Sequence, residues 1–287
     1  MPRTISVSKR FASEQIAPGV FVERFYPGGR FGPNREVMSH YPGGQAWSEA
    51  VMVGDAKTDP FQLAVPDIRL PSNQIWPLHW HDCWVAVVIL EGECMIGDWW
   101  MTPGDVLITA AGVEYGPLLI GPDGCRMFEI FAKLHLQSGG YAPEYRDHPT
   151  LQGGAYPFNF TERTGANKRN EGRQTLPIEG VDGLMKGRLI AGSHWDLGER
   201  SDPERGVMKV IGLSSCEAVP ARRYSDWHTL IVIEGRIQLA GRTLGKDDYV
   251  LVQPNCDVDE MRAGQDGAIV LEVVRTARGM ESSTSNR

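Results

Sequence analysis

β-Branched and aromatic residues gather along this chain into short apolar runs, separated by Gly, Pro and Asp. The runs are about 5–8 residues long, and turn signals recur every 8–12 residues or so. Turns are predicted at Glu91–Gly92, Pro103–Gly104–Asp105, Pro122–Asp123–Gly124 and Glu234–Gly235. Helical periodicity, which needs a window of about 11 residues or more, is absent from these stretches. The pattern predicts an all-β fold, a sandwich or a barrel-like jelly roll.

The pattern also repeats. Sliding the chain on itself lays Pro77 on Pro220, Trp84 on Trp227, Glu91–Gly92 on Glu234–Gly235 and Asp105 on Asp248. In the same register Gly121, Asp123, Gly124 and Glu129 fall on Gly264, Asp266, Gly267 and Glu272. The apolar stretches between them match in type: VAVVILEGE faces HTLIVIEGR, and GDVLITA faces DDYVLVQ. One ungapped register of this length implies two copies of one β unit. The expected organisation is an N-terminal arm (1–35), a first barrel (36–137), a linker rich in Gly, Pro, Asn and Thr (138–180), a second barrel (181–279) and a frayed tail (280–287).

Composition narrows the setting. The chain has 287 residues, and 41% are hydrophobic and 23% charged, as in a folded globular protein. A net charge of −7 argues against a nucleic-acid partner. No apolar run approaches the ~18 residues that span a bilayer, and the first residues lack a signal-peptide core. We therefore expect no membrane partner and a cytoplasmic location. The five cysteines form no CxxC pair, which fits reduced, mostly buried thiols. Nucleophile elbows, P-loops and dinucleotide fingerprints are absent.

The candidate chemistry begins at Leu78-His79-Trp80-His81. Strand alternation puts His79 and His81 on one face, about 6–7 Å apart at Cα. Two imidazoles so spaced can share one metal ion at about 2.0–2.1 Å each.

His79-x-His81, Gly92, Gly97, Pro103-Gly104-Asp105 and Gly112, in that order, resemble the cupin superfamily. With the repeat, the chain resembles a bicupin over about residues 65–135 and 205–275. The resemblance implies two tandem jelly-roll barrels and a homodimer joined through edge strands and the arm. It also implies one divalent transition metal per chain (Fe, Mn, Ni or Zn), in the first barrel. The metal motif is degenerate. Val85 stands at the family's Glu position and Tyr115 at its third His position. Tyr115 is therefore a candidate metal ligand or catalytic acid–base group, and Glu129 a further candidate or a structural hydrogen-bonding residue.

In the second copy Arg222 and Tyr224 take the two His positions, His228 the Glu position and Val258 the third His position. A metal is not expected there. Arg222, Tyr224 and His228 form either an anion pocket or a set of polar residues paired among themselves, for example with Asp226. In the first copy Trp76, Trp99, Val85, Val87 and Glu129 are expected to line a substrate pocket suited to a small, flat, unsaturated organic molecule. Trp80 and Trp84 are expected to pack outward.

The leading expectation is a metal-dependent oxidoreductase of the dioxygenase type. The alternatives are a metal-dependent lyase or isomerase, a metal-free acid–base enzyme using His79, His81 and Tyr115, and a non-catalytic sensory or binding protein.

Overall fold

The structure is a computed structural model. It describes residues 12–24, 36–37, 47–53, 63–72, 75–76, 79–96, 99–113, 115–116, 118–132, 138–139, 175–177, 184–198, 205–226 and 228–275. Every regular element among them is a strand. Ten of these strands form one sheet and nine another, with two further two-stranded pairings. The chain divides into two compact units, one spanning Phe31–Val51 with Ala64–Leu189, the other Met1–Arg30, Met52–Leu63 and Ile190–Arg287.

In the first unit the strand Val85–Ile96 lies between Asp105–Thr109 and Leu118–Phe131. In the second, His228–Leu239 lies between Asp248–Val252 and Met261–Arg275. The two sets of ladders match pair for pair. Val85 opposes Thr109 and Phe131, as His228 opposes Val252 and Val274. The sequence repeat is thus a structural repeat. The core of the second unit is built from Leu230, Val232, Ile237, Val250, Val252 and Val270, all buried. Each such side chain contributes about 1.5–3 kcal/mol on burial.

Three expected turns, Glu234–Gly235 in the strand His228–Leu239 among them, prove to be something else. Glu91–Gly92 and Pro122–Gly124 lie inside the strands Val85–Ile96 and Leu118–Phe131, and the chain does not reverse there. From Cys94 to Gly92 one strand moves two residues, while its partner moves from Ile120 to Cys125. The second unit repeats this bulge between Ile237/Ala263 and Gly235/Ala268. Glycine is required at its hinge. Gly92 and Gly235 have φ of +68° and +74°, and a Cβ would stand 2.1 and 2.2 Å from the carbonyl oxygens of Gly124 and Gly267. Long bulged strands therefore replace the short, turn-separated ones read from the sequence. The turn at Pro103–Gly104 is present.

The arm finds its sheet, and one segment joins a sheet other than that expected. The arm residues Ala12–Ala17 and Val20–Arg24 form a hairpin that adds to Asp248–Val252, in the second unit. The strand Leu184–Arg188, read as the start of the second barrel, instead pairs with Asp105–Thr109 of the first. Lys186 fixes it there: its Nζ donates to the Trp100 carbonyl at 2.9 Å and lies 3.6 Å from Asp105. Arg188 Nη1 donates to Asp105 Oδ1 at 3.2 Å.

None of the five cysteines, all among the described residues, is joined in a disulfide. No helix among the described residues is long and apolar enough to cross a membrane. Most of residues 138–180 and the whole of 280–287 lie outside the described residues, as do the side chain of Trp76 and all of Trp227.

Candidate functional site

The backbone brings the first candidates together. His79 N donates to the Tyr115 carbonyl at 3.1 Å, and Tyr115 N donates back to the His79 carbonyl at 2.9 Å. Gly112 N donates to the His81 carbonyl at 2.8 Å, so both histidines are pinned to the segment carrying Tyr115. The second unit keeps this frame with other side chains. Arg222 pairs with Val258, and Asn255 N donates to the Tyr224 carbonyl at 2.7 Å. Gly112 has φ +74° and its counterpart Asn255 φ +61°, a region asparagine tolerates better than most residues.

On this frame the His79 and His81 rings lie 5.1 Å apart, centroid to centroid, and nearly perpendicular. The Tyr115 ring is 4.4 Å from His79 and 6.0 Å from His81. Phe131 closes against His81 at 5.0 Å, a neighbour the sequence reading had not named. All four side chains are buried. Burial, reinforced by the neighbouring His79, pushes the His81 imidazole down to about 3, so it is neutral, the form that coordinates a metal.

Glu129 belongs to this cluster. Its cross-strand partner is Val87, and Val85 pairs with Phe131 one step along, which puts all four on the face that His81 meets. Burial raises the Glu129 carboxyl to about 7, with the Tyr115 phenol pulling the other way. Val85 and Val87 are fully buried. Trp99 sits on a ladder with Ile96, Leu118 and the Trp76 backbone, three residues along the chain from the His79–Tyr115 bridge. Trp80 is half-buried, while Trp84 is wholly enclosed within the chain rather than outward-facing.

In the second unit Arg222, Tyr224 and His228 also converge, and their partner is Glu272, the repeat counterpart of Glu129. His228 Nε2 lies 3.2 Å and Arg222 Nη1 3.7 Å from Glu272 Oε1. Lys209, not singled out from the sequence, reaches Oε2 at 3.8 Å. The Tyr224 ring stacks 3.8 Å from His228. The expected partner Asp226 instead accepts from Ser225 at the surface. Burial pushes Glu272 up, but His228, Lys209 and Arg222 outweigh it and hold the carboxyl below its usual range. Burial also lowers His228 and lifts Tyr224 to about 12, so both are neutral.

A third cluster escaped the sequence reading. Arg126, fully buried, donates from Nε and Nη2 to Asp67 at 2.8–3.1 Å and from Nη1 to Glu91 at 3.0 Å. Its repeat counterparts are Ile269 and, for Asp67, Val210, so the cluster is peculiar to the first unit.

No family profile matches this chain, and no curated protein matches it by sequence. Solved structures do. An Escherichia coli pirin in complex with nickel(II) superposes with a TM-score of 0.52 at 11% identity, over 89% of this chain and 99% of that one. A putative dioxygenase from Nostoc punctiforme gives 0.54 at 12% identity, over 95% and 86%. The formate complex of oxalate decarboxylase from Lactobacillus farciminis gives 0.54 at 12% identity, over 90% and 86%. These are two-barrel cupins. The matched ladders, the shared bulges and this likeness together establish the fold of the chain as that of a bicupin.

Proposed function

We propose that the first barrel is an enzyme site for a small organic substrate, in which His79 and His81 hold one divalent transition metal ion and Tyr115 and Glu129 handle a proton beside it. The observation that carries this reading is the convergence of those four side chains on one buried, apolar face. The donor chemistry fits. Both imidazoles are enclosed, and His81 is held neutral, the form that coordinates. Among the described residues no group of three or more His, Cys, Asp and Glu could hold an ion. The third protein donor in this reading is therefore the Tyr115 phenol, and Fe, Mn, Ni and Zn remain the candidate ions. A bound ion supplies Lewis acidity and open positions for a substrate oxygen pair or O2.

The rest is work for the chain itself. The Tyr115 phenol lies near enough to draw the Glu129 carboxyl down, which sets the two groups beside each other for a proton transfer. A carboxyl raised to about 7 can hold or release that proton near neutrality. Val85, Val87 and Phe131 keep water from the site and offer an apolar wall to a flat, unsaturated substrate. We assign the site to oxygen-dependent cleavage of such a substrate, a dioxygenase-type oxidation. The nickel(II) named for the pirin and the activity named for the Nostoc protein support this at the level of fold. The Glu129–Tyr115 pair favours a second reading, proton transfer in a lyase or isomerase, with or without the metal.

The test is elemental analysis of the purified protein beside a His79→Ala/His81→Ala double variant, followed by O2-uptake assays with small ring compounds. Near-stoichiometric metal in the parent and its loss in the variant are expected. If neither protein holds metal after reconstitution, the metal reading fails. Metal without O2 uptake, together with turnover insensitive to oxygen, would favour the lyase or isomerase.

A further inference from the structure

The second barrel carries two cations around one buried carboxylate. The Arg222 and Lys209 side chains are 45% and 42% exposed, yet their charged ends both come within 3.8 Å of Glu272, whose side chain is 3% exposed. The neutral Tyr224 and His228 complete the cluster. With Glu272 ionised, one positive charge remains uncompensated within the cluster, in a chain whose net charge is −7. Neither cation is within hydrogen-bonding reach of the carboxylate, at 3.7 and 3.8 Å, so their N–H groups are not consumed by it. His228 Nδ1 is buried and has no hydrogen-bond partner among the described residues.

A groove adjoins this cluster. It encloses about 440 Å³ and is lined by Ser193, His194, Asp196, Val207, Lys209 and Ile211 among others; the exposed Asp196 opposes Val207 across the ladder, at the end away from Ile211. Lys209, Val207 and Ile211 alternate along the strand Gly206–Leu213, so they share a face. Ile211 packs on the core of the unit, and Lys209 opposes Glu272 across the ladder. Lys209 thus belongs to both the cluster and the groove. The volume lies in the range of small-molecule sites, about 300–1,000 Å³.

We infer that the second barrel binds a small organic monocarboxylate, its carboxylate held by Arg222 and Lys209 and its apolar body lying along Ile211, away from Asp196. A monoanion neutralises the residual charge, whereas a dianion such as hydrogen phosphate would overshoot it beside Glu272. Guanidinium and ammonium together give charge-assisted donors to both carboxylate oxygens. Glu272 competes for the same cations and sets a ceiling on affinity. This site is separate from the histidine site and does not depend on any metal there.

Isothermal titration of the full chain with acetate, benzoate, cyclohexanecarboxylate and inorganic phosphate tests the inference. At least one monocarboxylate should saturate the protein and outcompete phosphate. Arg222→Gln and Lys209→Gln should each weaken it by about tenfold, the loss of one charge-assisted contact. Glu272→Gln should strengthen it, because the competing carboxylate is gone. The His79→Ala/His81→Ala protein should bind it unchanged. Arg222 and Lys209 are nearly half exposed, so their variants should fold, which a melting curve checks. Failure of all three monocarboxylates to bind, binding indifferent to both cation substitutions, or tighter binding of phosphate would each overturn the inference. So would weaker binding in a folded Glu272→Gln protein.

Discussion

Replacing Asp67 with valine would strand a guanidinium inside the first barrel. The Arg126 side chain is 2% exposed and takes three contacts from Asp67, at 3.0, 3.1 and 2.8 Å. Glu91 would still accept from Nη1 at 3.0 Å, but its side chain is 38% exposed and compensates only in part. Removing one partner of a buried pair costs about 3–5 kcal/mol, because the remaining charge is desolvated without its counter-ion. With Glu91 retained the lower end applies, about 3 kcal/mol. At an m-value of about 2 kcal/mol/M, the urea midpoint of the first unit should fall by roughly 1.5 M.

The second copy supplies the control. It carries Val210 and Ile269 where the first carries Asp67 and Arg126, and Val210 opposes Leu271 as Asp67 opposes Phe128. The fold therefore accepts an apolar pair in this register. Asp67→Val/Arg126→Ile should recover to within about 1 kcal/mol of the parent, since replacing a whole buried pair with apolar groups is often neutral or stabilising. Arg126→Ile alone strands the buried Asp67 and should also cost about 3 kcal/mol, so the coupling in this double-mutant cycle should be about 5 kcal/mol. A single substitution costing under about 1 kcal/mol, or a double no more stable than Asp67→Val, would refute the reasoning.

Gly92→Ala should destabilise the first unit by about 3 kcal/mol, since it combines a positive φ with a 2.1 Å approach to the Gly124 carbonyl. Gly104→Ala, at φ +90° with nothing within 4 Å, should cost about 1 kcal/mol, and thermal melts that fail to separate the two would contradict the assignment of the bulge. The two repeat-related glutamates should give pH dependences of opposite sign. Glu129 is raised to about 7 from 4.5, so the folded chain keeps a proton that the unfolded chain releases; its contribution is full at low pH and is lost as pH rises through about 4.5–7, by about 3 kcal/mol. Glu272 is lowered, so its contribution is present above the unfolded carboxyl value and is lost as pH falls below it. Urea titrations of chelator-treated Glu129→Gln and Glu272→Gln proteins should flatten those two opposite slopes, and a shared direction would disprove the difference.

The repeat made most of the fold legible. Matching Gly92 with Gly235 and Gly124 with Gly267 showed that both copies share these positions, but local residue preference named them turns and the bulges were not foreseen. The reason lies in the ladder. A glycine at positive φ reverses the chain only if the strand fails to find a partner beyond it, and here Cys94 and Ile120 pair again past the bulge. The exchanged strand was illegible for a related reason. Leu184–Arg188 lies in sequence beside the second copy, and only its long-range partners, the Trp100 carbonyl and the Asp105 carboxylate that hold Lys186 and Arg188, show which sheet it joins. His79 and His81 were recoverable from strand spacing, and Tyr115 only through the cupin resemblance, because nothing local to it says which strand its segment faces. Lys209 and the Asp67–Arg126 pair were not. A charged residue on a strand reads as solvent-facing until a partner from a distant strand is known.

One strand position, occupied by glutamate in both copies, shows how a single frame can serve two chemistries. Glu129 opposes Val87 and is surrounded by apolar groups, two histidines and a phenol. No cation faces it within the described cluster, so burial dominates and the carboxyl keeps its proton. Glu272 opposes Leu230 and Lys209, with Arg222 standing at the position of His79, and the same burial is overridden. Exchanging His79 for an arginine should therefore move the first site toward the second. His79→Arg places a guanidinium beside Tyr115 and Glu129, which should drive the Glu129 carboxyl down and expel any cation from the site. Metal analysis should find that variant empty, and its pH–stability slope between about 4.5 and 7 should flatten or reverse. Metal retained at the parent level would mean that the His79 position does not contribute a ligand, and an unchanged slope would mean that Glu129 does not sense it.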